Sequence, residues 1–226
     1  MTAQADALLP ASIPPARRRR VGPRLIVFAL LAASLAGLAV FWRSVGHEWV
    51  FPKKWGEIEP GWVFRSGQIS RFNLESTFDR HRIDVVVFMS GYNPNNPDVR
   101  FEKELCERKG IALHNFPLHG RGTGRVESYI DALETAWRAR QAGRRVLIHC
   151  DAGSQRTGGM TVLWRVLIEG RPAPDAYREL LAYGHDPQDN PDLIPYLNRH
   201  MAQIAAELHR RGVIAAVPDP LPTLGP

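Results

Sequence analysis

The sequence predicts an α/β fold: a central, mostly parallel sheet of about four or five strands flanked by helices and preceded by one transmembrane helix. Three observations predict it. Val146, Leu147 and Ile148 form a short apolar run that ends at His149-Cys150 and turns through Gly153. It gives way to a segment, Thr157 to Glu169, in which Met160, Val162, Leu163, Val166 and Leu167 recur at helical spacing. Ile83 to Met89 is a largely β-branched run that reads as a strand buried on both faces beyond Asp84, the pattern of a parallel sheet. Leu25 to Trp42 is apolar apart from Ser34 and Gly37, and at 1.5 Å per residue it spans about 27 Å, close to the roughly 30 Å hydrocarbon core of a bilayer.

In chain order, residues 1–24 are a basic, Ala/Pro-rich start with no period, expected to be disordered. They hold Arg17, Arg18, Arg19, Arg20 and Arg24 against one acid, Asp6, a net +4 of the chain's +6. The remainder carries so little net charge that nucleic acid is not expected as a partner. The arginines ahead of Leu25, against Arg43 alone just after Trp42, predict a cytoplasmic N-terminus and a single-pass protein whose domain lies on the non-cytoplasmic, periplasmic side. Ser34-Leu35-Ala36 would suit cleavage of a signal peptide, but the apolar run continues beyond it to Phe41, which favours an anchor.

The folded domain is expected over residues 47–212, with a proline-rich tail over 213–226. Glu57 to Gln68 reads as two extended pieces around a Pro60-Gly61 turn, and a helix around Asn73 to Arg80 precedes the Ile83 strand. Gly91 to Pro97 is a turn region rich in Asn and Pro. Asp98 is the expected cap of a helix that runs to Lys109, carries Phe101, Leu105 and Cys106 on one face and stops at Gly110. Ile111 to Phe116 is a further strand. Glu127 to Gln141 is helical, with Tyr129, Leu133 and Trp137 on one face, and helices over Pro174 to Tyr183 and Leu193 to Arg211 cover the sheet. The two cysteines, Cys106 and Cys150, make no disulfide framework. Cys106 is expected in the core rather than as a redox partner of Cys150.

The chemistry concentrates where the Val146 strand meets its helix. Backbone N–H groups of the loop and of the first helical turn lack partners within the helix and converge on one spot. They favour a thiolate, which sets the expected pKa of Cys150 in the range of about 3.5–7.5 found at helix N-termini. Arg156 can hold two oxygens of a tetrahedral oxyanion. A thiolate, a ring of N–H donors and a guanidinium together suit nucleophilic attack on phosphorus.

The run His149-Cys150-Asp151-Ala152-Gly153-Ser154-Gln155-Arg156-Thr157-Gly158 resembles the signature of the protein-tyrosine and dual-specificity phosphatases: His-Cys, five residues, Arg, then Ser or Thr. Upstream, Arg65-Ser66-Gly67-Gln68 is similar to the run that opens compact bacterial and fungal members. The resemblance implies a dual-specificity phosphatase-like fold with Cys150 as the nucleophile that forms a phosphocysteine. Asp151, Ala152, Gly153, Ser154, Gln155 and Arg156 would bind the phosphoryl group, Thr157 would help the thiolate leave, and His149 would orient the loop. Neither a metal nor any other cofactor is implied. Arg65 reads as a phosphate contact or, more commonly for its position, as a structural residue.

That family takes its general acid, usually an aspartate, from the loop that here follows Phe116. No Asp or Glu occurs between Asn115 and Arg125, and the nearest downstream is Glu127. His119 is the expected proton donor instead, on a loop made flexible by Gly120, Gly122 and Gly124, with Asp151 and Asp186 as alternatives. The Gly-x-Gly-x-Gly spacing is not that of a dinucleotide site, and the next strand ends in His-Cys where an acidic ribose ligand would stand. The expected function is a membrane-anchored, cysteine-dependent phosphatase. Its substrate would be a phosphorylated protein, an anionic phospholipid or an inositol phosphate; Arg121 and Arg125 suit a polyanionic headgroup. A rhodanese-like sulfurtransferase and a non-catalytic phosphate-binding module are the alternatives. Thr157-Gly158 weighs against the first, and the intact Cys150 and Arg156 against the second.

Overall fold

The computed structural model describes residues 22–42 and 46–225. The disorder expected for the basic start therefore concerns residues that, up to 21, lie outside this range. The chain divides into two units, with the boundary after residue 44. The described part of the first is one helix, α1 (Pro23–Phe41), opened by a proline whose fixed φ suits a first helical position.

Among the described residues no helix is long and apolar enough to cross a membrane. This overturns the transmembrane helix expected over residues 25–42, together with the single-pass location and the periplasmic placement built on it. α1 spends its first turn on Pro23 and Arg24, and its apolar run from Leu25 to Phe41 falls short of the roughly 20 residues a span takes.

The second unit opens with a single turn, α2 (His47–Val50). Strands β1 (Gly56–Glu59) and β2 (Val63–Ser66) pair antiparallel. Gly61 closes the turn between them at φ +73°, and its N–H donates to Glu57 Oε2 at 2.8 Å. Helix α3 (Leu74–His81) follows, then β3 (Val85–Phe88) and α4 (Pro97–Lys109). The cap of α4 is Asn96, whose side chain accepts from the Asp98 amide at 3.0 Å, and not Asp98 as expected. Pro97 shifts the start: it has no N–H to leave unpaired and a φ already set for the first turn. Gly110, at φ +67°, ends the helix.

Strand β4 (Ala112–Asn115) leads to α5 (Val126–Gln141), β5 (Val146–His149) and α6 (Gln155–Leu163), which widens into a π turn over Trp164–Ile168. Helices α7 (Ala173–Ala182) and α8 (Leu193–Arg210) complete the fold. The tail returns to α8, where the Leu224 amide donates to Asn198 Oδ1 at 2.8 Å.

The five strands form one mixed sheet in the order β1-β2-β5-β3-β4, parallel at every pairing but β1–β2. Residues of β2, β3 and β5 are buried throughout, as the β-branched run of β3 and the apolar run of β5 predict, and the burial extends to Arg65, Ser66 and His149. Their side chains alternate between two apolar layers. Val85, Val87, Val146 and Ile148 face the helices α5, α6 and α8, whereas Phe64, Val86 and Leu147 pack on Leu74 and Phe78 of α3 and Leu105 of α4. The register aligns Ser66, His149 and Phe88 at the carboxyl end of neighbouring strands. The loop after β5 thus starts at the centre of that edge, where open α/β sheets bind ligands.

Candidate active site

Cys150 is the first residue beyond β5, with 1% of its surface exposed. Its Sγ accepts the Gly153 N–H at 3.2 Å, so the chain has curled back on the sulfur within three residues. Gly153 can do this because it adopts φ +75°. A Cβ there would also stand 2.6 Å from the Gly67 nitrogen, inside any real contact. The loop is clamped to the end of β2: the Gln68 amide donates to Asp151 O at 3.0 Å, and the Arg65 Nη2 donates to Gly153 O at 2.8 Å. On its other flank the Asp151 amide donates to Ser90 Oγ at 3.2 Å.

Arg156 lies in the first turn of α6, nearly buried. One arm, Nη2, is on Asp151 Oδ2 at 2.8 Å, and Nε is buried without a partner. Thr157 is wholly buried, its Oγ1 turned toward Ser66 O at 3.4 Å, long enough to be a weak bond. His149 is also buried. Its ring stacks on Phe88 with centroids 4.8 Å apart, and its Nε2 faces Glu102 Oε1 at 3.1 Å. Ala152 is exposed, whereas Ser154 and Gln155 are buried.

No family model and no curated protein matches this sequence. Solved structures do match its fold. P. aeruginosa TpbA aligns with a TM-score of 0.53 at 18% identity, over 67% of this chain and 87% of that one. A TpbA variant in complex with pTyr aligns with the same TM-score at 16% identity, over 67% and 86%. The core catalytic domain of the PP-IP phosphatase SIW14 from S. cerevisiae aligns with a TM-score of 0.56 at 18% identity, over 73% and 96%. The fold is the one these solved structures share, the PP-IP phosphatase SIW14 among them.

Within this phosphatase fold, the loop after Phe116 carries His119 exposed at its tip. The loop is more firmly held than its glycines suggest. Tyr129 Oη donates to Gly122 O at 2.8 Å and Tyr196 Oη to Gly124 O at 2.9 Å. A Cβ on Gly122 would meet Leu193 Cδ1 at 2.7 Å, so this glycine permits close packing rather than motion. Arg121 pairs with Asp192 at 2.8 Å, and Arg125 is exposed. Asp186 accepts the Gln188 amide at 2.8 Å and so closes a turn. Asp151 is spent on Arg156.

Three further residues belong to the site and were missed in the sequence. Lys54, just before β1 at a strained φ of +49°, donates from Nζ to Ser154 Oγ. Burial holds its pKa below the usual lysine value, helped by Lys53 and Arg65 and opposed by Cys150. Tyr183 lies beneath Arg65, with the guanidinium carbon 3.7 Å from the ring centroid. His185, buried, sets Nδ1 2.5 Å from Gln155 Oε1. In the sequence this segment offered only Asp186 as a candidate; Gly184 between the two, at φ +82°, lies close against Lys54, where a Cβ would stand 2.6 Å from Nζ. Cys106 stays in the layer of α3 and α4, free of any disulfide, and burial pushes its thiol up to about 12.

Proposed function

We propose that this chain is a cysteine-dependent phosphatase that hydrolyses phosphate monoesters through a phosphocysteine on Cys150. The observation that carries the reading is the Gly153 N–H aimed at the Cys150 sulfur at 3.2 Å, on the same short loop that delivers Arg156. The Cys150 sulfur attacks phosphorus, and the ester P–O bond breaks as the S–P bond forms. Loop amides and the planar fork of Arg156 hold the equatorial oxygens, with Asp151 giving up its place on Nη2. The leaving oxygen takes a proton, for which we assign His119, exposed on the loop after Phe116, because Asp186 is committed to a turn. Water then attacks the phosphocysteine, the S–P bond breaks, inorganic phosphate leaves, and Thr157 Oγ1 stabilises the departing thiolate. His149, fixed between Phe88 and Glu102, orients the start of the loop.

The substrate class we propose is a phosphorylated protein or an inositol phosphate. The support is that TpbA is known in complex with pTyr and that SIW14 is a PP-IP phosphatase. A panel of phosphotyrosine and phosphoserine peptides and inositol phosphates, given to the full chain and to Cys150→Ser, tests this. The expected outcome is turnover of at least one class, abolished by Cys150→Ser. Turnover that survives the substitution would overturn the mechanism.

A further inference from the structure

Arg65 is wholly buried, at 0% exposure, yet among the described residues no carboxylate lies within ion-pair distance of it. Its Nη2 bonds Gly153 O at 2.8 Å, its face covers Tyr183, and its Nε and Nη1 have no partner. A buried cation left in this state is costly unless an anion nearby compensates it. The Cys150 sulfur is reached through one residue: Gly153, whose carbonyl takes the Arg65 bond, gives its own N–H to Cys150 Sγ at 3.2 Å.

We propose that Arg65 is a positioning residue for the Cys150 nucleophile: by holding the Gly153 carbonyl it keeps that residue in the left-handed conformation from which its N–H meets the sulfur, and it supplies a buried positive charge that favours the thiolate. The inference rests on the reading of Cys150 as a nucleophile. Burial brings Arg65 down to about 10, which leaves it charged at neutral pH. Other groups face the pair. Glu179 approaches Arg65 but is bonded to Arg165 at 2.7 Å. Lys54 senses Cys150 while bonded to Ser154, and Arg156 is offset by Asp151. Tyr129, raised by burial, remains neutral. Of these cations Arg65 is the most deeply buried and the one that bulk salt screens least.

The test is alkylation of Cys150 by iodoacetamide in the full chain, followed across pH by mass spectrometry of the Cys150 peptide. Arg65→Met should move the onset of reaction up by about one pH unit or more, the effect of removing a close opposite charge. Arg65→Lys, which keeps the charge, should recover most of that shift, and Lys54→Met should move the onset less than Arg65→Met does. Should Arg65→Met fail to fold by circular dichroism, the wild-type chain still decides. Its onset should hold between about 0.05 and 1 M salt, where Debye lengths fall severalfold. An onset unchanged in folded Arg65→Met, or one that climbs steeply with salt in the wild type, would overturn the proposal. The readout needs no turnover. A chain that shows the Arg65 effect without hydrolysing any phosphate ester would leave this inference standing and refute the phosphatase reading.

Discussion

Arg156 has two suitors. In the free site Asp151 holds its Nη2 at 2.8 Å, where a phosphoryl oxygen would bind. The Asp151 carboxylate is more than half exposed, and exposed pairs contribute about 0–1 kcal/mol. Asp151→Asn should therefore tighten inhibition by inorganic phosphate by no more than about fivefold, given that about 1.4 kcal/mol is tenfold. Weaker inhibition in that variant would mean that Asp151 orders Arg156 rather than competing for it. Gly153→Ala should cost about 1–3 kcal/mol of stability through its positive φ alone. Its Cβ would also push the loop off Gly67, so turnover should fall further than the melting temperature suggests. These side chains were legible from the sequence because the signature is contiguous. Arg65 was visible but ambiguous, since nothing in a strand of four residues says which carbonyl its side chain will find across the sheet.

At the scale of elements, the connection between α7 and α8 is the part the sequence hid. Tyr183, Gly184 and His185 meet Arg65, Lys54 and Gln155, residues brought near only by the folded sheet. No local pattern encodes such meetings, whereas the β-branched runs, Gly110 and the helical spacing of α5 and α6 report on their own neighbourhoods. The site's support at His185 has a pH signature. Burial lowers its pKa from 6.5, against the opposing pull of Asp186. The folded state thus prefers the neutral ring. This contribution is present above about 6.5 and is lost as pH falls from there toward the lower folded value, because the unfolded chain takes up the proton first. Denaturant midpoints of the wild type should fall across that window, and His185→Gln should flatten the part due to this ring. An unchanged slope would mean that the ring is not buried neutral. The loop after Phe116 gives the other element-scale prediction. His119→Ala should slow alkyl phosphates by about 10²–10⁴-fold and aryl phosphates much less, because a better leaving group needs less protonation. Equal losses would assign His119 a structural role.

The whole molecule places one loop at the carboxyl edge of its central strand and surrounds it with helices, and the alternation of strand and helix was enough to predict that layout. The N-terminal apolar run misled for a physical reason: composition identifies a hydrophobic stretch but not whether a helix with Pro23 and Arg24 in its first turn has the length to cross a bilayer. An oxyanion bound, as proposed, only by the folded loop should also raise global stability. Inorganic phosphate at about 100 times its dissociation constant should add roughly 2.7 kcal/mol. That gain should vanish in Arg156→Ala, as read from melting curves of the full chain.

The proposed mechanism passes through a covalent phosphoenzyme on Cys150. Its most direct test is acid quenching of the full chain during turnover of an aryl phosphate, followed by peptide mass spectrometry. One added phosphoryl group is expected on the peptide that carries Cys150, accumulating further in Thr157→Ala, where the thiolate leaves more slowly, and missing in Cys150→Ser. Steady turnover with no modified Cys150, or a phosphoryl group carried by any other residue, would contradict it.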